Sequence, residues 1–197
     1  MVNNYSELEV IKEYAEENNV PIMTSEGINF LTNYIRKYKI QKILEIGTAI
    51  GYSAIMMALA NPEAEITTIE RDEKRYLEAV KNIKKFHLED RINLIYKDAF
   101  DVKLDGKFDL IFIDAAKAQN IKFFEKFEYN LNPKGTIITD NMNFHGLVDK
   151  EPSEIKSRSL RALVRKLKDY AVFLQENKKY ETEFLEIGDG IAISRPI

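Results

Sequence analysis

Residues 42–60 read KILEIGTAIGYSAIMMALA, and two patterns meet inside them. Ile43, Leu44 and Ile46 form a short apolar run that stops at Gly47, while beyond Gly51 the residues Ile55, Met56 and Leu59 follow helical spacing. The stretch reads as a buried strand that turns directly into a helix. Such a junction makes a ligand site, because the first N–H groups of a helix lack partners and glycines let a ligand approach the backbone. Glu45 is the odd member of the strand. A buried carboxylate is costly unless hydrogen bonds or a cationic ligand satisfy it, so Glu45 is expected to contact a ligand. The alternative reading is a carboxylate that accepts loop N–H groups and holds the turn.

Upstream, residues 5–18 are expected to be helical, with Leu8, Ile11, Tyr14 and Ala15 on one face and acids opposite. Val20-Pro21-Ile22-Met23 breaks that pattern, because proline disfavours helix before it. Thr24 or Ser25 then caps a second helix over 26–38, whose Ile28, Leu31 and Ile35 face a core.

Downstream, strands are expected at 65–71 (EITTIER), 91–98 (RINLIYKD), 108–114 (FDLIFID) and 136–141 (TIITDN). Helices are expected between them at 72–86 and 119–131, with Asn132-Pro133-Lys134-Gly135 as a turn. Strands alternating with helices indicate an α/β fold with a mainly parallel sheet and helices on both faces. One long helix over 154–176 follows. Two strands then close the chain as an antiparallel hairpin around Gly188-Asp189-Gly190.

A chain of 197 residues fits one domain, and 45% hydrophobic with 31% charged residues suits a globular protein. No apolar run approaches the roughly 18 residues needed to span a bilayer, so a cytoplasmic protein with no membrane partner is expected. Zero cysteines exclude disulfides, thiolate nucleophiles and cysteine-ligated metals. With only His87 and His145, a three-histidine site within one chain is excluded too, and any metal must be held mainly by oxygen. A net charge of −3 gives no general nucleic-acid signal.

In sheets of this kind ligands bind beyond the carboxyl ends of the strands. Four of those ends carry acids, Glu70, Asp98, Asp114 and Asp140, with Asn141 beside the last. The turn Gly47-Thr48-Ala49-Ile50-Gly51 lacks the second glycine of a dinucleotide fingerprint, and no Lys-Ser/Thr pair marks a phosphate loop. A nucleoside ligand without a phosphate requirement remains. Glu70 is placed to accept its ribose hydroxyls, and Asp98 could accept an adenine amino group. Asp114, Asp140 and Asn141 supply half of an octahedral Mg²⁺ shell. Lys117, three residues past Asp114, could serve as a base over the same site.

LEIGTAIGYSA, TIER, FIDAAK and ITDN, in this order, resemble the cation-dependent, S-adenosylmethionine-dependent O-methyltransferases of the catechol and caffeoyl-CoA type. Within that family VPIM, FIDAAKAQ and ITDNMNFHGLV are similar to motifs of the bacterial enzymes that methylate 5-hydroxyuridine in tRNA. The resemblance implies a Rossmann-like class I fold, a seven-stranded sheet, residues 1–197 as a single domain and residues 1–40 covering the site. It implies that Met23, Ser53, Glu70, Asp98, Ala99 and Asp114 contact S-adenosylmethionine, with Glu45 and Gly47 in the same pocket. It implies that Asp114, Asp140 and Asn141 hold Mg²⁺, that Asp114 and Lys117 are catalytic, and that the chain pairs as a homodimer. The acceptor it implies is the 5-hydroxyl of 5-hydroxyuridine in tRNA, with a small catechol-like or phenolic metabolite as the alternative. Where catechol-type members carry a glutamate near the final hairpin, this chain has Gly188-Asp189-Gly190, an expectation against catechols. The tRNA enzymes begin earlier, so a leading segment is expected to bear on pairing or RNA contact. Lys156, Arg158, Arg161, Arg165, Lys166 and Lys168 read as phosphate contacts or as a solvated helix face, diluted by Glu151, Glu154, Asp169 and Glu176. Phe144 and His145 are placed to stack on a base.

Overall fold

The computed structural model describes residues 4–143, 146–148 and 150–197. Seven strands make one sheet in the order β3-β2-β1-β4-β5-β7-β6. They are β1 (Lys42–Ile46), β2 (Glu65–Glu70), β3 (Ile92–Tyr96), β4 (Phe108–Ile113), β5 (Leu131–Asp140), β6 (Tyr180–Leu185) and β7 (Ile191–Pro196). Neighbours among β1 to β5 run parallel, and β7 is antiparallel to both β5 and β6. The helices are α1 (Asn4–Glu17), α2 (Ser25–Tyr38), α3 (Tyr52–Ala60), α4 (Glu73–Lys85), α5 (Asn120–Phe127) and α6 (Arg158–Glu176).

Strand alternation sorts the core into two layers. Ile43, Leu110, Phe112 and Ile138 join residues of α1, α2, α3 and α4 in one cluster. Leu44, Ile46, Ile111, Ile113 and Ile137 join residues of α5 and α6 in the other. Thr24 caps α2 by accepting the Gly27 N–H at 3.1 Å, and Asp72 caps α4 through the Arg75 N–H at 3.0 Å.

Three boundaries differ from the sequence pattern. The expected helix 119–131 is α-helical only from Asn120 to Phe127 and tightens into a single turn at Glu128–Asn130. The expected turn Asn132–Gly135 lies inside β5, as an irregularity where the pairing jumps from Phe108↔Leu131 to Leu110↔Thr136. Turn-forming residues thus supply a bulge, because Leu131 still pairs with β4. The expected helix 154–176 begins at Arg158, where Ser157 accepts the Leu160 N–H at 3.3 Å; Pro152–Glu154 is a separate short turn. Among the described residues no helix is long and apolar enough to cross a membrane.

Candidate active site

Strand order reverses between β1 and β4, and a cavity of about 650 Å³ opens beyond their carboxyl ends. The switch point leaves a crevice because the chains leaving adjacent strands depart to opposite faces of the sheet. Met23, Gly47, Ser53, Glu70, Asp98, Ala99, Asp114, Lys117, Asp140 and Asn141 all line this cavity. Among the described residues expected to hold donor or metal, Glu45 does not.

Glu45 alternates with Leu44 and Ile46 and so faces α3, where it is fully buried. Its Oε1 accepts the Ser53 hydroxyl and its Oε2 the Thr68 hydroxyl, each at 2.5 Å. With the Thr68 proton given to Glu45, Thr48, 2.6 Å away, is the donor to Thr68. The expectation that Glu45 touches a ligand is therefore corrected: two hydroxyls satisfy it, and it stands behind Ser53 and Thr48. Burial first, with the charges of Asp114 and Glu70, pushes its carboxyl up to about 7 against the two hydroxyl bonds.

Glu70 takes the turn-holding part instead. Its Oε2 accepts the Ala49 N–H and its Oε1 the N–H groups of Arg71 and Asp72, all at 2.8 Å. One acceptor position remains open at Oε2. Asp98 accepts the Phe100 N–H at 2.9 Å and pairs with Arg71 at 3.1 Å; these contacts, the Phe100 bond foremost, hold its carboxyl below the usual carboxylate range.

Gly47 has a different reason from ligand approach. At φ +102° it sits against β4, and a Cβ there would lie 2.3 Å from the Asp114 carbonyl oxygen. Two strand ends close on each other at this glycine.

The other end of the cavity collects the hard oxygens. Phe112 pairs with Ile138 and Ile113 with Thr139, so the next residues, Asp114 and Asp140, leave adjacent strands on the same face. Lys117 Nζ donates to Asp114 Oδ1 at 2.6 Å and to the Asp140 carbonyl at 3.4 Å. Asp140 is buried; that desolvation, then the charge of Asp114, raises its carboxyl to about 7, with Lys117 and the Asn141 N–H opposing. Asn141 adopts φ +68°, and its buried Oδ1 has no hydrogen-bond partner. Among the described residues no three His, Cys, Asp or Glu side chains converge as a metal cluster, so the oxygen set here is two carboxylates and this amide.

The roof comes from the link between α1 and α2, where Pro21, Ile22 and Met23 line the cavity, rather than from the two helices. The hairpin turn leans on the same region: the Asn143 N–H donates to the Asp189 carbonyl at 2.7 Å, and Asp189 helps raise the Asp140 carboxyl. Sequence reading missed Thr48, Tyr52, Arg75, Phe123 and Leu163, which also line the cavity. Thr48 and Tyr52 sit in the turn already singled out. Leu163 belongs to α6, more than a hundred residues beyond that turn, and no local signal ties it to the site. Phe144 and His145 lie outside the described residues.

A family model described as O-methyltransferase matches residues 3–197. The chain belongs to this family. This O-methyltransferase is similar to a Vitis vinifera flavonoid 3′,5′-methyltransferase, 31% identical over 90% of this chain and 78% of that one. In three dimensions it resembles a Staphylococcus aureus protein assigned as a caffeoyl-CoA O-methyltransferase, with a TM-score of 0.91 and 40% identity over 96% and 92% of the two chains. It also resembles a Podospora anserina methyltransferase bound to S-adenosylhomocysteine, with a TM-score of 0.87 and 26% identity over 97% and 88%.

Proposed function

We propose that this O-methyltransferase moves the methyl group of S-adenosylmethionine onto one hydroxyl of a small phenolic acceptor that carries a second oxygen next to it. The observation that carries the reading is the meeting of Asp114, Lys117, Asp140 and Asn141 at one end of a cavity whose other end holds Glu70 and Asp98. The flavonoid-methylating and caffeoyl-CoA-type relatives favour small phenols, and the Podospora structure favours the donor.

Glu70 offers its open Oε2 position to a ribose hydroxyl, and Asp98 lies beside it for the base. Met23, Gly47, Ser53 and Ala99 wall the donor between these acids and Asp114. Asp114, Asp140 and Asn141 fit Mg²⁺ or another divalent cation, because all three give hard oxygens and the Asn141 Oδ1 is otherwise unpartnered. When bound, that cation supplies positive charge that lowers the pKa of an acceptor hydroxyl. Lys117, whose Nζ is held by Asp114 at 2.6 Å, is the base in this reading: as the uncharged amine it takes the proton of the acceptor hydroxyl and becomes the ammonium. The transfer breaks the sulfur–methyl bond, forms the oxygen–methyl bond and leaves S-adenosylhomocysteine.

Transfer of a labelled methyl group tests the reading, with catechol and caffeoyl-type phenols as acceptors. Label is expected in the phenol, and Asp140→Ala should lower the rate about 100-fold or more. Full activity with a chelator present would remove the cation from the account. A second reading, 5-hydroxyuridine in tRNA, has the same pair of adjacent oxygens and is favoured by the exposed Arg and Lys side chains of α6. Label entering only tRNA would put it first.

A further inference from the structure

α6 opposes its own electrostatics. Its first turn holds no acid, although the N-terminal end of a helix carries positive partial charge, and Arg158 and Arg161 occupy that turn. Arg158, Arg161, Arg165 and Lys168 then follow at spacings of three and four, so like charges face each other. These four and Lys150 line a second cavity of about 560 Å³ with Ile155 and Val164 as apolar floor, and no acidic residue among the described residues lines it. Glu151 and Glu154, which dilute this charge in the sequence, are engaged in a capping box with each other's backbone. Arg161 is engaged too, donating to the Ile155 and Lys156 carbonyls at 2.6 and 3.1 Å. Among the described residues Arg158, Arg165 and Lys168 form no ion pair, and a break with local rules of this kind marks a functional surface.

We propose that this cavity is a binding site for phosphate esters of nucleotide size, separate from the catalytic cavity. Arginine forks match phosphate oxygens in pairs, and Arg158, Arg161 and Arg165 line the cavity along one flank of α6. The volume falls within the range of small-molecule sites. Leu163, which lines the catalytic cavity, is two residues from both Arg161 and Arg165. Two helical residues amount to about 200°, so the body of α6 lies between the two sites. A compact anion cannot touch both. The phosphate belongs to a separate small ligand or to a distant part of an extended one, whichever acceptor is methylated.

Calorimetric titration of the full chain with pyrophosphate, AMP and a short RNA, with citrate as a non-phosphate anion, tests the site. The phosphate probes are expected to bind, citrate to bind at least about tenfold more weakly, and saturating S-adenosylhomocysteine to displace none of them. Arg158→Glu combined with Arg165→Gln should weaken every phosphate probe about tenfold or more. Its melting temperature should hold or rise, because an acid replaces a cation in the first turn. Lys74→Gln with Lys84→Gln and Lys85→Gln on α4 changes the net charge equally and should leave binding intact. AMP binding as tightly as RNA would identify a free metabolite, and RNA binding alone, with a steep salt dependence, a nucleic-acid backbone; both support the site. No phosphate binding, equal citrate binding, displacement by S-adenosylhomocysteine, or equal loss in the α4 variant would overturn it.

Discussion

Glu45 costs stability at neutral pH. The folded protein holds its proton more tightly than the unfolded chain, with the pKa moved from 4.5 to about 7. The carboxyl is therefore neutral and cheap below about pH 4.5 and destabilises progressively as pH rises toward about 7, by about 3 kcal/mol at roughly 1.4 kcal/mol per unit. Glu45→Gln should be more stable than the parent at about pH 8, and the gap in thermal melts should close toward pH 5. A gap independent of pH would mean that the carboxylate is ionised in the fold throughout. Gly47→Ala has both a left-handed backbone and the Asp114 carbonyl against it. A loss of about 3 kcal/mol in urea midpoints is expected.

β5 and α6 depend on each other. Asp140 ends β5, and the strand's Thr139 shares a 2.8 Å hydrogen bond with the hydroxyl of Tyr170, a fully buried residue of α6. Burial raises that phenol well above its ordinary range, so it serves as a neutral hydrogen-bonding group. Tyr170→Phe should cost about 1–2 kcal/mol in urea unfolding, because Thr139 is left without its partner. Leu167, Tyr170 and Leu174 bury one side of α6, Val164 stands at its border, and the cations lie beyond that border. A long basic helix was legible in the sequence; its first residue was not, because Ser157 and the turn at Pro152–Glu154 set the start through capping.

At the scale of the molecule, the site exists because β1, β4 and β5 are neighbours. Pairing β4 with β5 in parallel register puts two carboxylates side by side, and burial of Asp140, with the charge of Asp114 beside it, raises the free energy of ionising Asp140. Asp140 must be ionised to hold a cation. Its pKa of about 7 means that protons compete below that value, so Mg²⁺ affinity, measured by titration, should fall from about pH 8 to about pH 6, approaching tenfold per unit at the acid end. Affinity flat across that range would show that Asp140 is not a ligand.

The strand-to-helix turn at 42–60, the acids at the strand ends and the alternation of strands and helices were legible in the sequence, because each is written in local periodicity and turn chemistry. The same holds for Asp114, Lys117, Asp140 and Asn141 as a chemical set. Tertiary structure alone decided which acid faces where. Glu45 turns toward α3 and meets Ser53 and Thr68, whereas Glu70 ties the turn, because strand parity and the β1–β2 register fix those directions. It also decided that Leu163 walls the catalytic cavity while Arg161 and Arg165, two residues away on either side, face out of it. Helix rotation is set by what α6 buries against the sheet, and that contact joins residues too far apart in the chain for any local pattern to record.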